Sequence, residues 1–112
     1  MRGPEERSLR KSIDSYTVLG PWLVTADEIG DPSGLDLHLS VNGETRQKSN
    51  TSYLIYGIAK LISVYSEVMT LQPGDIIATG TPEGVGQIVP GDTVVLTIPD
   101  IGELTMPVVG RD

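Results

Sequence analysis

Cysteine is absent from this 112-residue chain, and so is phenylalanine. Without cysteine there is no disulfide frame, no thiolate nucleophile and no sulfur ligand for a metal, and a reducing cytoplasm is the expected setting. Aromatic residues are limited to four tyrosines and one tryptophan. A core must therefore be built from Leu, Ile and Val, with Tyr filling in. No apolar run approaches the roughly 20 residues that cross a bilayer, and no signal-peptide core follows Met1. His38 is the single histidine. It falls on the polar side of an alternating strand with no base or ligand placed beside it, so it is expected to point at solvent.

Carboxylates are numerous but poorly spaced for a metal. Glu5-Glu6 and Asp27-Glu28 are sequence neighbours, and neighbours on an extended chain face opposite ways. A Glu-x-Glu spacing would put two carboxylates on one face of a strand, as a Mg²⁺ site wants, and none occurs. The residues of the chain alone offer no metal site.

The net charge is −7, unevenly spread. Arg2, Arg7, Arg10 and Lys11 outnumber Glu5 and Glu6 in the first eleven residues, whereas the remainder holds four basic residues against thirteen acidic ones. An acidic body argues against nucleic acid and anionic membrane as partners. The basic residues 1–11 read as a flexible N-terminal segment, solvated or meeting an anion. Residues 12–112 read as one domain or part of one.

Thirteen glycines and eight prolines indicate many turns and short strands. A loop runs through Pro21 and a strand follows at Trp22–Thr25, then the turn formers of 27–34 form an exposed loop. Leu35, Leu37, Leu39 and Val41 alternate with Asp36, His38, Ser40 and Asn42, a half-buried strand. Asn42-Gly43 is a strong hairpin signal, with Glu44–Lys48 as the returning strand. Ile58, Leu61, Ile62, Tyr65 and Val68 or Met69 recur at helical spacing, predicting a helix of about three turns. QPGDII (72–77) and VPGDTV (89–94) repeat one device, a Pro-Gly turn, a polar residue and a strand. TVVLTI, a turn at Pro99–Gly102 and ELTMPVV make a second hairpin. Five or six strands and one helix give a β-rich α+β unit whose hairpin edges need cover.

The run TGTPEGVG, Thr79 to Gly86, concentrates backbone freedom and hydroxyls in one bend. Such a bend lets backbone N–H groups approach another molecule closely. Most glycine-rich loops simply connect strands, and this one lacks both the P-loop lysine and the dinucleotide fingerprint. Lys11 opens the segment KSIDSY, although a lysine near a basic terminus is usually a solvated charge. Ser12 and Ser15 suit turns or caps better than nucleophilic roles, since no base accompanies them.

Taken together, KSIDSYTVLGPWLVTADEIGDP, LxLxVNGExRQxxNTS (35–52) and LxPGDIIxTGTPEGVG (71–86) resemble, in order and spacing, the C-terminal half of the fumarylacetoacetate hydrolase family. Its bacterial branch includes 2-hydroxyhepta-2,4-diene-1,7-dioate isomerases and acylpyruvate hydrolases. The resemblance covers nearly the whole chain from Pro4 onward. It implies a mixed β-roll and a Mg²⁺- or Mn²⁺-dependent, usually dimeric enzyme of aromatic-compound catabolism. Such an enzyme acts on 2-oxo or 1,3-dicarbonyl acids by C–C hydrolysis, decarboxylation or keto–enol isomerisation, with the metal stabilising an enolate. Lys11 matches the family's active-site lysine, whose charge would face the enolate oxygen. Thr81 matches the threonine that hydrogen-bonds the substrate carboxylate or carbonyl, with Gly80 completing that pocket. Asp14 and Ser15 match the edge of the metal site. The family's Glu-x-Glu and Asp ligands, and its lid His and Glu, lie upstream of the lysine motif and are not in this sequence. The resemblance therefore implies an incomplete roll that pairs with an upstream half or a second copy. A rival reading is a non-catalytic β-rich interaction module, or a defunct fragment lacking the metal site.

Overall fold

In the computed structural model the described residues are 7–110. Four strands form one antiparallel sheet: β1 (Asp36–Val41), β2 (Glu44–Asn50), β3 (Thr93–Ile98) and β4 (Gly102–Pro107), in the order β2-β1-β3-β4. With a helix at Ile58–Val68, this is the expected β-rich α+β class.

The alternation that marks β1 in the sequence continues across the sheet. Leu39 pairs with Leu96, which pairs with Leu104, and Val41 pairs with Val94, which pairs with Met106. Paired residues share a face, so these rows form one apolar face. Leu35, Val41 and Val94 are its buried hydrophobic residues. The Asn42-Gly43 turn has positive φ at both positions, 52° and 82°, the backbone twist that suits a two-residue hairpin. Asn42 also binds Asp92 (2.8 Å) and accepts the Thr93 N–H (2.9 Å), tying the β1–β2 turn to the start of β3.

Both Pro-Gly-Asp segments are the same turn in space. Gly74 and Gly91 have φ of 97° and 98°. Asp75 and Asp92 donate their N–H to the carbonyls of Gln72 and Val89, each at 3.0 Å. Their carboxylates accept the N–H groups of the same two residues at 2.7 and 2.9 Å. The second turn launches β3. The first leads into Ile76–Ala78, where a strand is expected and none forms, because no strand among the described residues lies beside it to share hydrogen bonds.

Other expectations are corrected as well. Arg7–Ser12 form a helix, α1, within and just past the basic N-terminal segment; Arg, Leu and Lys are good helix formers. Residues 1–6 of that segment lie outside the described residues. Trp22–Thr25 is no strand, and Ala26–Ile29 form a one-turn helix, α2. Trp22 is anchored by its side chain: Nε1 donates to the Ile101 carbonyl at 2.7 Å. A Cβ on Gly102 would lie 2.7 Å from the Trp22 ring. β2 runs two residues past its expected end, because Asn50 pairs with Asp36. His38 is half-buried, and its Nε2 lies 2.9 Å from Thr45 Oγ1 of the neighbouring strand in an exposed contact.

The expected three-turn helix is α3, Ile58–Val68. Its apolar stripe is only partly covered. Ile58 and Leu61 are half-buried, while Ile62, Tyr65 and Val68 are exposed.

Candidate active site

The glycine-rich loop bends at Gly80, where φ is 127°, and crosses β2. That strand carries a bulge. Leu39 pairs with Gln47 and Ser40 with Thr45, which leaves Arg46 as the extra residue. A bulge kinks its strand and re-aims the groups beside it. Here the loop meets both neighbouring residues. Gly84 sits so close to the Arg46 carbonyl that a Cβ would fall on that oxygen. Gln47 donates from its side-chain nitrogen to Thr81 Oγ1 (3.0 Å) and to the carbonyls of Pro82 (2.9 Å) and Glu83 (3.2 Å).

The docked loop forms part of a cleft of about 690 Å³. Thr79, Gly80 and Thr81 line it, together with Tyr53, Ile55 and Tyr56 from the segment before α3. Lys48 and Glu83 are the charged residues of the lining. Such a site is apolar with a few convergent polar groups, the usual character of a small-ligand pocket. Beside it, Asn50 and Thr51 secure the end of β2. Thr51 Oγ1 donates to the Pro32 carbonyl (2.6 Å) and accepts the Leu35 N–H (2.9 Å). Asn50 donates to Gly34 O (3.0 Å) and Asp36 Oδ1 (2.8 Å).

The sequence candidates divide into two groups. Thr81 and Gly80 share the cleft. Lys11, Asp14 and Ser15 do not line it. Lys11 lies exposed in the last turn of α1, its carbonyl accepting the Thr17 hydroxyl at 2.7 Å. Asp14 and Ser15 are the exposed centre of a turn closed by the Tyr16 N–H on the Ile13 carbonyl (3.0 Å). Ser15 has φ of 66°, uncommon for a residue with a side chain.

Sequence reasoning missed Gln47 and Lys48. The only signal for Gln47 was its place in the RQxxNTS motif, because its partners lie 34 to 36 residues away. Carboxyls held below their usual range belong to turns, not to the cleft. Val89 N–H and the Asn42 amide depress Asp92, Ser33 depresses Asp31, and Thr25 depresses Asp27. Among the described residues no three His, Cys, Asp or Glu side chains gather to hold a metal ion. None of the described helices is long and apolar enough to cross a membrane.

A family profile described as fumarylacetoacetate (FAA) hydrolase, C-terminal, matches residues 2–109. Maleylpyruvate hydrolase of Aquipseudomonas alcaligenes is 56% identical over 108 residues, which are 96% of this chain and 38% of that enzyme. The 4-hydroxyphenylacetate degradation bifunctional isomerase/decarboxylase of Salmonella dublin is 52% identical over 99 residues, 88% of this chain and 23% of that protein. The crystal structure of maleylpyruvate hydrolase from Sphingobium sp. SYK-6, in complex with manganese(II) ion and pyruvate, aligns with a TM-score of 0.88 at 50% identity. That alignment covers 95% of this chain and 40% of the other. The chain thus spans well under half the length of these relatives. The chain belongs to the fumarylacetoacetate hydrolase family, whose C-terminal domain it matches.

Proposed function

We propose that this chain supplies the substrate-carboxylate side of an enzyme that acts on 2-oxo or 1,3-dicarbonyl acids in aromatic-compound catabolism, in a cytoplasmic setting. The reaction is C–C hydrolysis, decarboxylation or keto–enol isomerisation, which share an enolate step. The observation that carries this reading is the pinned loop, with Thr81 and Gly80 lining a cleft of about 690 Å³. Support comes from the related hydrolase that holds manganese and pyruvate.

Thr81 Oγ donates a hydrogen bond to a carboxylate or carbonyl oxygen of the substrate. Gly80 keeps the backbone low enough for the substrate to approach. Lys11 brings a positive charge to the oxygen that becomes negative in the enolate, a stabilisation that is strong in a site closed to water. Because Lys11 does not line the cleft of this chain, that contribution requires α1 to be carried to the cleft by an upstream half or a second copy. A divalent metal, Mg²⁺ or Mn²⁺, would polarise the oxo group in the whole enzyme. The described residues do not fit one by themselves, and the roles of Thr81, Gly80 and Lys11 stand without it. Asp14 and Ser15 border the substrate once α1 is in place.

Pyruvate titrated into the isotope-labelled chain is expected to shift the amide resonances of Thr79, Gly80 and Thr81, and T81V is expected to weaken binding about tenfold. No response in the loop would sink this reading. With acylpyruvates, little turnover is expected from the chain alone. Chelator-sensitive loss of diketo-acid absorbance, abolished by K11A, would mean that copies of the chain complete the site together. A non-catalytic interaction module is the second reading, favoured by the exposed apolar residues of α3.

A further inference from the structure

Gln47 binds the glycine-rich loop at three points through one nitrogen. The Pro82 and Glu83 carbonyls can only accept hydrogen bonds, so the amide must present its NH₂ and not its oxygen to the loop. Its two protons serve three acceptors, one of them shared, and Thr81 Oγ1, reached by the same nitrogen, faces a donor and not an acceptor. A hydroxyl carries one proton and two lone pairs. With a lone pair engaged by Gln47, the proton is left for a different acceptor. Among the described residues Thr81 Oγ1 donates no hydrogen bond, and Thr81 lines the cleft. Gln47 is well placed to impose this polarity. It is half-buried, its register partner Leu39 lies on an inner strand, and the neighbouring Arg46 carbonyl abuts Gly84.

We propose that Gln47 is a positioning residue that holds the Thr81 hydroxyl with its proton directed into the cleft. Thr81 then meets an anionic oxygen as a donor, whereas a ligand presenting an N–H or O–H there has only the one lone pair that Gln47 leaves open. A hydrogen bond to a carboxylate is roughly twice as strong as one between neutral groups, so the cleft selects carboxylates. This inference rests on the proposed role of Thr81 and adds the residue that sets its direction.

The test uses the 112-residue chain, with pyruvate as the probe, and the variants Q47E, T81V and T81S. Q47E keeps the size of the side chain but turns an acceptor on the loop. The Thr81 proton is then drawn toward Glu and away from the cleft. Q47E is expected to weaken pyruvate binding at least fivefold, and T81S to keep wild-type affinity. In the T81V background Q47E is expected to add little, because Gln47 acts through the hydroxyl. A merely structural role would cost the same factor with or without that hydroxyl. Additive effects, or wild-type affinity in Q47E, would overturn the proposal. If the wild-type chain shows no pyruvate response, the carboxylate-binding role of Thr81 fails separately. The ligand-free spectrum then decides on Gln47. Slowly exchanging Gln47 side-chain amide protons that shift in T81V support the positioning role, and freely exchanging ones overturn it.

Discussion

Gly84 carries no side chain because there is no room for one: a Cβ would fall on the Arg46 carbonyl, and φ is 96°. Unlike a flexible side-chain tip, a backbone oxygen in a bulged strand cannot swing aside. G84A is therefore expected to lift the loop off β2 and to cost about 2 kcal/mol, combining left-handed strain with the displaced contact. Denaturant unfolding measures the loss, and the Gln47 side-chain amide resonances report whether the loop has left. Wild-type stability with an undisturbed amide would show that the approach is looser than described. The glycine run was legible in the sequence as a bend. What it bends onto was not, because the end of β2, the helix α3 and a Pro-Gly turn separate Arg46 and Gln47 from it along the chain.

Among the elements, the two Pro-Gly-Asp turns show how far a local pattern extends. Each closes with the same two hydrogen bonds, since a glycine at positive φ and an aspartate one residue later determine the turn without outside help. Their consequences differ, because β3 finds β1 and β4 on either side and Ile76–Ala78 finds no strand among the described residues. Asp92 also joins its turn to Asn42, and these bonds hold its carboxyl below the usual range. A depressed carboxyl contributes stability above its unfolded pKa, and that contribution disappears as pH falls through the folded value. The chain is therefore expected to lose stability below about pH 4, with D92N showing a shallower acid limb in unfolding measured against pH. An identical limb in D92N would mean that these bonds do not distinguish folded from unfolded chain. Asp27 and Asp31 are depressed by their own turns and contribute to the remaining slope.

Taken whole, the molecule is open. Its radius of gyration is 15.5 Å, against about 13 Å for a compact domain of this length. Leu35, Val41 and Val94 are the buried hydrophobic residues among those described, whereas Trp22, Leu23, Ile55 and Val68 are each at least 60% exposed. So small a core supports little cooperative stability. The isolated chain is expected to bind an apolar dye such as ANS and to melt over a broad range. A sharp transition without dye binding, together with sedimentation as a dimer, would show that two copies cover one another's apolar faces.

Several features were settled by sequence alone. The alternation from Leu35 to Val41, the Asn42-Gly43 hairpin, the helix through Ile58 and Tyr65 and both Pro-Gly-Asp turns depend on neighbours a few residues apart, where periodicity and turn chemistry act directly. The family was legible for a related reason, since its motifs are short and keep their order. Only the tertiary structure decided that β2 bulges at Arg46, that Gln47 clasps the glycine-rich loop, that Lys11 does not line the cleft that holds Thr81, and that Ile76–Ala78 finds no strand partner among the described residues. Each of these depends on which distant segments lie side by side, and a hydrogen-bond partner 34 residues away leaves no periodic mark on the chain.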